Sequence, residues 1–175
     1  MFTNNYITFQ NSIFNGNTSP KMKDENGSNQ TAYLYLQNSL PDIAVGRNVI
    51  NPSLYGSGLR FGSGSTPATK EDYCLASPIT SGLAFSKGSL LWDKNTPGKY
   101  IAKASHVLTN TSEVEINIYE VGLFCTCYAS TSLSSPVTYS ALFERTVLPE
   151  PITIAPGEAK LVTYKLTFNQ TLNVE

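Results

Sequence analysis

Residues 113–124 read Glu-Val-Glu-Ile-Asn-Ile-Tyr-Glu-Val-Gly-Leu-Phe, and this stretch constrains the fold more than any other. Val114, Ile116, Ile118 and Glu120 share one parity, while Glu113, Glu115, Asn117 and Tyr119 share the other. That is the period of a half-buried β-strand, not of a helix. After Gly122 both parities become apolar. A glycine at that switch predicts a bulge or kink, followed by burial on both faces. The stretch is expected to be the central strand, with later segments packed on it and earlier loops carrying any recognition.

The segments around it fit the same plan. Residues 99–108 alternate loosely and are followed by Thr109-Asn110-Thr111-Ser112, which predicts a hairpin with the central strand. In residues 138–148, Leu142, Glu144, Thr146 and Leu148 lie on one face and Phe143, Arg145 and Val147 on the other. Glu144 and Arg145 therefore point apart, toward neighbouring strands or subunits. Pro149-Glu150-Pro151 is expected to make a corner. Ala155-Pro156-Gly157-Glu158 has the chemistry of a type II turn, with Pro fixed at its second position and Gly free to take positive φ at its third. In the last strand, residues 159–168, the core face is Val162, Tyr164, Leu166 and Phe168. Residues 31–37 read as a further strand, whereas 40–58 are too broken by Pro41, Gly46, Pro52, Gly56 and Gly58 to form a helix.

Charged residues make up only 14% of the 175, and Ser, Thr, Asn, Gly and Pro fill the gap, as in a turn-rich all-β chain. The expected fold is a two-sheet antiparallel sandwich, jelly-roll or immunoglobulin-like, between which spacing does not choose. Residues 32–175 form one sandwich domain on this reading, preceded by an irregular N-terminal arm over 1–31. Within the arm, Tyr6-Ile7-Thr8-Phe9 and Ile13-Phe14 suit a short edge strand, and 21–30 an exposed loop. Its apolar residues, chiefly Phe2, Tyr6, Ile7, Phe9, Ile13 and Phe14, are too few to offset ordering at roughly 1 to 2 kcal/mol per residue. The arm should be ordered by a neighbouring subunit, which makes Phe2, Tyr6, Phe9 and Phe14 candidate interface residues.

The most distinctive segment is 59–75, where Leu59-Arg60-Phe61 runs into Gly62-Ser63-Gly64-Ser65-Thr66-Pro67. A Gly-Ser-Gly run can cradle a phosphate, but the Lys-Ser/Thr of a nucleotide loop does not follow, so a tight turn is expected. Thr69 stands three residues before Asp72, near to a capping box, and suggests a single helical turn. Glu113, Glu115 and Glu120 invite comparison with paired glycosidase carboxylates, yet a solvated strand face accounts for the first two. No segment places His106 with a serine and an aspartate. Cys74, Cys125 and Cys127 lack further ligands at metal spacing and read as buried or half-buried thiols in a reducing compartment. No catalytic, metal or cofactor site is expected. A net charge of -1 with scattered Lys and Arg gives no footprint for nucleic acid, and no apolar run is long enough for a membrane span. Nor does a secretory signal open the chain, so five Asn-x-Ser/Thr sequons carry little weight.

Arg60-Phe61-Gly62-Ser63-Gly64-Ser65-Thr66-Pro67, Glu71-Asp72-Tyr73-x-Leu75 and Ser77-Pro78-Ile79 form one half of a longer pattern. Its second half is Leu108-Thr109-Asn110-Thr111-Ser112, Ile116-x-Ile118-x-Glu120-Val121-Gly122-Leu123, Leu142-Phe143-Glu144-Arg145-Thr146-Val147-Leu148 and Ile152-x-Ile154-x-Pro156-Gly157-Glu158. Over about residues 59–168 the chain resembles small structural proteins of tailed bacteriophages. The resemblance implies a non-enzymatic virion component, such as a capsid decoration, neck or tail-associated protein, made in the host cytoplasm. Its partners would be further copies of itself and other virion proteins, with Arg60, Phe61 and Arg145 joining the candidate interface. A receptor- or carbohydrate-binding module is the alternative, with a host glycan as ligand and the tyrosines and Trp92 as stacking platforms.

Overall fold

The computed structural model describes residues 1–15, 19–32, 58–86, 89–93, 99–128 and 138–169. In chain order these form α1 (Asn4–Asn15), β1 (Lys21–Lys23), β2 (Asn29–Thr31), β3 (Gly58–Gly62), β4 (Leu83–Phe85), β5 (Ser89–Asp93), β6 (Lys99–Asn110), β7 (Ile116–Tyr128), β8 (Thr138–Ile154) and β9 (Ala159–Asn169). All strand pairs are antiparallel. The predicted strand over 31–37 and the punctuated stretch 40–58 fall almost wholly outside the described residues.

The expected central strand is the middle member of a sheet ordered β3-β7-β8. Two irregularities interrupt its ladder with β8. Between Ile118 and Glu120 the partner jumps from Ile152 to Val147, and between Leu123 and Phe124 it jumps from Glu144 to Leu142. The first absorbs Pro149-Glu150-Pro151 within β8, so the expected corner is a bulge in a continuous strand, the place where a sheet tolerates proline. The second leaves Phe143 unpaired. From Glu120 onward, Val121, Leu123, Cys125 and Cys127 lie on one face of β7, and Glu120, Gly122 and Phe124 on the other. These positions are buried on both faces, as the sequence pattern predicts.

The first face is covered at one end by the second sheet, in which β4 and β5 share one edge of β6 and β9 takes the other. Leu59, Phe61, Ile118, Val121, Leu123 and Ile154 meet Leu108 there, with Val162 and Tyr164 of β9 packed against them. Side chains of this size contribute about 1.5 to 3 kcal/mol each when fully buried. The alternation of β9 is as expected where its side chains are described: Leu161, Thr163 and Lys165 are exposed while Val162 and Tyr164 are half-buried. The side chains of Leu166 and Phe168 lie outside the described set. The turn before β9 also follows its sequence, with Gly157 at φ +73 and Glu158 N–H donating to Ala155 O at 3.0 Å.

The hairpin expected between 99–108 and the central strand does not form, because β6 and β7 belong to different sheets. Asn110 makes the crossing. Its buried side-chain amide donates to Val114 O (2.7 Å) and Ile154 O (2.8 Å), and its Oδ1 accepts from Ser112 N–H and Oγ. Its backbone is tied to the β8–β9 turn at Gly157 and Glu158. A tight turn would have kept both strands in one sheet, whereas this corner satisfies an otherwise unpaired bend and sends the chain across the core.

The N-terminal stretch is neither irregular nor strand-like at Tyr6-Ile7-Thr8-Phe9. It is a helix followed by a short hairpin, folded onto this chain's own β8. Phe2, Tyr6 and Phe9 recur at helical spacing, and Phe9 packs with Met22, Ala32, Cys125, Cys127, Ala141 and Phe143. The bulge at Phe143 provides the dock: Thr3 N–H donates to Phe143 O (3.0 Å), Arg145 N–H to Met1 O (3.0 Å), and Phe2 bridges Glu144. Thr3 Oγ1 donates to Leu142 O, and the Asn5 amide ties Lys23 and Leu142 together. Local propensity is poor in this Asn-, Ile- and aromatic-rich helix; tertiary contact holds it.

Candidate functional site

The second face of β7, carrying Glu120, Gly122 and Phe124, is covered by the loop of residues 63–78. The loop leaves β3 at Gly62 and returns along it, with Ser63 N–H donating to Ser77 O (2.8 Å) and Ile79 N–H to Phe61 O (2.9 Å). Between these points it wraps the carboxylate of Glu120, which is fully buried. Oε1 accepts from Ser77 N–H (2.7 Å) and Gly64 N–H (3.2 Å), and Oε2 from Ala76 N–H (3.1 Å) and Arg145 Nε (2.7 Å). A charge buried this deeply is tolerated only when paired and hydrogen-bonded, and here both conditions hold.

Arg145 extends the network. Its Nη1 donates to Asp72 Oδ2 at 2.8 Å, and Nη2 donates to Thr66 O (3.0 Å) and Oγ1 (3.2 Å). Asp72 in turn accepts from Thr69 N–H (2.9 Å) and Thr69 Oγ1 (2.8 Å), so the near capping box closes a turn but starts no helix. Burial alone pushes the Asp72 carboxyl up. The Thr69 hydrogen bonds and the Arg145 guanidinium outweigh it and hold the group below its ordinary value. Burial pulls Arg145 down, and Asp72 and Glu120 more than reverse that.

The Gly-Ser-Gly run is therefore a cradle, and its occupant is this chain's own carboxylate. A Cβ on Gly62 would collide with Glu120 Oε1 and sit 2.6 Å from Ser77 O; one on Gly64 would sit 2.6 Å from Glu120 Oε1. Only glycine lets the backbone approach so closely.

The structure places the seven candidate interface residues differently from one another. Phe61 is buried in the core between the sheets, because pairing with Val121 turns it inward. Arg145 and Phe9 are buried within the chain. Arg60, on the other face of β3, is half-buried over the Phe124 ring (4.2 Å), donates to Ser140 Oγ (2.9 Å) and pairs with Glu25 of the β1–β2 turn. Phe2 stacks on Tyr6 at 4.2 Å, and both are half-buried. The Phe14 side chain lies outside the described set. As expected, Glu144 and Arg145 part company: Glu144 Oε1 accepts from the Met1 amino group at 2.6 Å and from Thr146 Oγ1.

Glu113, Glu115 and Glu120 do not converge, since the first two are exposed and the third is sealed. His106 is buried with Nδ1 3.2 Å from Ser86 O. Among the described residues, no three His, Cys, Asp or Glu groups are placed to hold a metal ion, and no helix is long and apolar enough to cross a membrane. A polar cleft of about 190 Å³ opens between α1, the β1–β2 hairpin and the loop, lined by residues including Asn4, Thr8, Lys21, Asn29 and Glu71. The sequence reading did not anticipate Asp72, Thr66 and Asn110 as network members. Glu120 shares its parity with Ile116 and Ile118, but the irregularity between Ile118 and Glu120 turns it to the opposite face, so parity gave no signal for its burial under the loop.

Compared with known proteins, the chain matches no family model, no curated protein and no solved structure.

Proposed function

We propose that this chain is a non-enzymatic structural component of a bacteriophage virion, a capsid decoration, neck or tail-associated protein working through subunit contacts. In this reading its two sheets form a sandwich of jelly-roll or immunoglobulin-like type, and it is made in the host cytoplasm and ends in the particle. One observation supports it most. Seven residues of the resembling pattern, Gly62, Gly64, Thr66, Asp72, Ser77, Glu120 and Arg145, tie loop to sheet, which supports reading that part of the pattern as shape and not chemistry. Val107 and Leu161, paired across β6 and β9 on the outer face, offer exposed apolar area for a neighbouring copy or another virion protein. Mass spectrometry of purified particles should detect the chain at a fixed ratio to the major capsid protein. Its absence from washed particles would overturn the reading.

The polar cleft favours a second reading, a receptor- or carbohydrate-binding module, because Asn4, Thr8, Lys21 and Asn29 present hydrogen-bonding groups in a space near the size of one sugar. A glycan array would test it: specific signal lost in Lys21→Ala supports it, and a blank array removes it.

A further inference from the structure

We propose that the loop of residues 62–77, together with Arg145, is a preformed receptor for a small carboxylate, which Glu120 fills in the native chain and free formate fills when Glu120 is cut back to glycine. The donors converge on one point from three separate stretches: Gly64 N–H, the consecutive Ala76 and Ser77 N–H groups, and Arg145 Nε, all within 2.7–3.2 Å of the carboxylate. Consecutive backbone N–H groups beside a guanidinium make an anion-binding concavity of the kind that holds phosphates elsewhere.

The positions of these donors do not depend on Glu120 alone. Ser63 N–H donates to Ser77 O across the base of the loop and Ile79 N–H to Phe61 O of β3, Asp72 and Thr66 hold the Arg145 guanidinium from its far side, and Leu75 packs with Phe124 and Leu142. Removing the carboxylate leaves these restraints in place and leaves the donors aimed at an empty volume. Buried donors without a partner are costly, so a ligand that restores their acceptors gains what the truncation loses.

Shape sets the ligand. Glu120→Gly deletes the whole side chain, and formate restores the carboxylate with its carbon where Cδ stood, in van der Waals contact with Cα. Acetate has a carbon too many, because a methyl at the Cγ place would stand inside contact distance of Cα in a space bounded by Ala76, Ser77 and the backbone of Gly62 and Gly64. The charge also matches, since Arg145 then faces Asp72 alone. This inference does not depend on the virion reading.

The test is thermal unfolding of Glu120→Gly in sodium formate against sodium chloride at equal ionic strength. Formate is expected to recover at least half of the lost Tm, saturating in the millimolar range, with acetate weaker and propionate inactive. Two further variants separate a site from a general salt effect. Glu120→Gln fills the cradle with its own amide and should gain nothing from formate. Glu120→Gly with Gly62→Ala places a methyl in the cradle and should also gain nothing. If Glu120→Gly alone does not fold, recovery of the far-UV spectrum on refolding in formate but not chloride is the equivalent result. Equal effects of formate and chloride, or equal gains in all three variants, would overturn the proposal.

Discussion

Arg145 Nε stands 2.7 Å from Glu120 Oε2, a hydrogen-bonded ion pair between diagonal positions of β7 and β8 that is closed off from solvent on both sides. Removing one partner leaves the other charged and buried. Arg145→Met should therefore lower stability by about 3 to 5 kcal/mol. Arg145→Lys should recover little of this, since a single ammonium does not reproduce a fork that serves Glu120, Asp72 and Thr66 at once. Urea unfolding of the variants, and of Arg145→Met with Glu120→Gln, gives the comparison. The double variant is expected to be more stable than Arg145→Met alone, and a purely additive loss would show that the pair is not coupled.

The sequence made the sheet legible where burial has a simple period: the alternation of β9, the burial after Gly122 and the Pro156-Gly157 turn all follow from local pattern. It misled where a polar side chain made the decision. Thr109-Asn110-Thr111-Ser112 looks like any short turn, and only the reach of the Asn110 amide to Ile154 O, 44 residues away, turns it into a crossing between sheets. The helix at Asn4–Asn15 was hidden for the opposite reason. Its residues have weak helical propensity and a partial strand-like alternation, and the Phe143 bulge that receives it lies far along the chain. The cradle was half legible, in Gly62 and Gly64, but its occupant was not.

Asn110 supplies a second test. Asn110→Asp keeps the shape and replaces two donated hydrogen bonds by a carboxylate facing the Val114 and Ile154 carbonyls, so it should destabilise more than Asn110→Ala. Either change takes the Asn110 donor from the buried Ile154 oxygen, at about 1 to 3 kcal/mol, while Val114 O keeps the Ser112 hydroxyl as a donor. The unfolding midpoints of the two variants decide the order.

Acid should loosen the loop. Asp72 is held below the ordinary carboxylate value near 3.8 in the folded chain, so its contribution is present above that value and is lost as pH falls through the depressed native one. Asp24, lowered chiefly by its hydrogen bond from Gln30, acts with the same sign. Stability is expected to be flat from neutral pH to about pH 5 and to fall below about pH 4. Asp72→Asn should be less stable at neutral pH and show a shallower acid slope in urea midpoints.

Thiol labelling reads the docking of α1. Cys125 and Cys127 are buried under Phe9 and Met22, and the neighbouring Cys127 thiol together with burial raises Cys125 well above its ordinary value; Cys74 is only half-buried. In the native chain an aromatic disulfide reagent should react with Cys74 first and with the other two only on unfolding. Deleting residues 1–32 should bring Cys125 and Cys127 into the fast phase. Unchanged slow labelling in the truncated chain would mean that α1 does not cover them.

Amide hydrogen exchange at Gly64, Ala76 and Ser77 tests the central claim most directly, because these N–H groups donate to the Glu120 carboxylate. The account predicts protection in the parent chain comparable to that of the β7–β8 ladder, and its selective loss in Glu120→Ala while Val121 and Thr146 in that ladder stay protected. Rapid exchange of the loop amides in the parent, or protection that survives removal of Glu120, would contradict it.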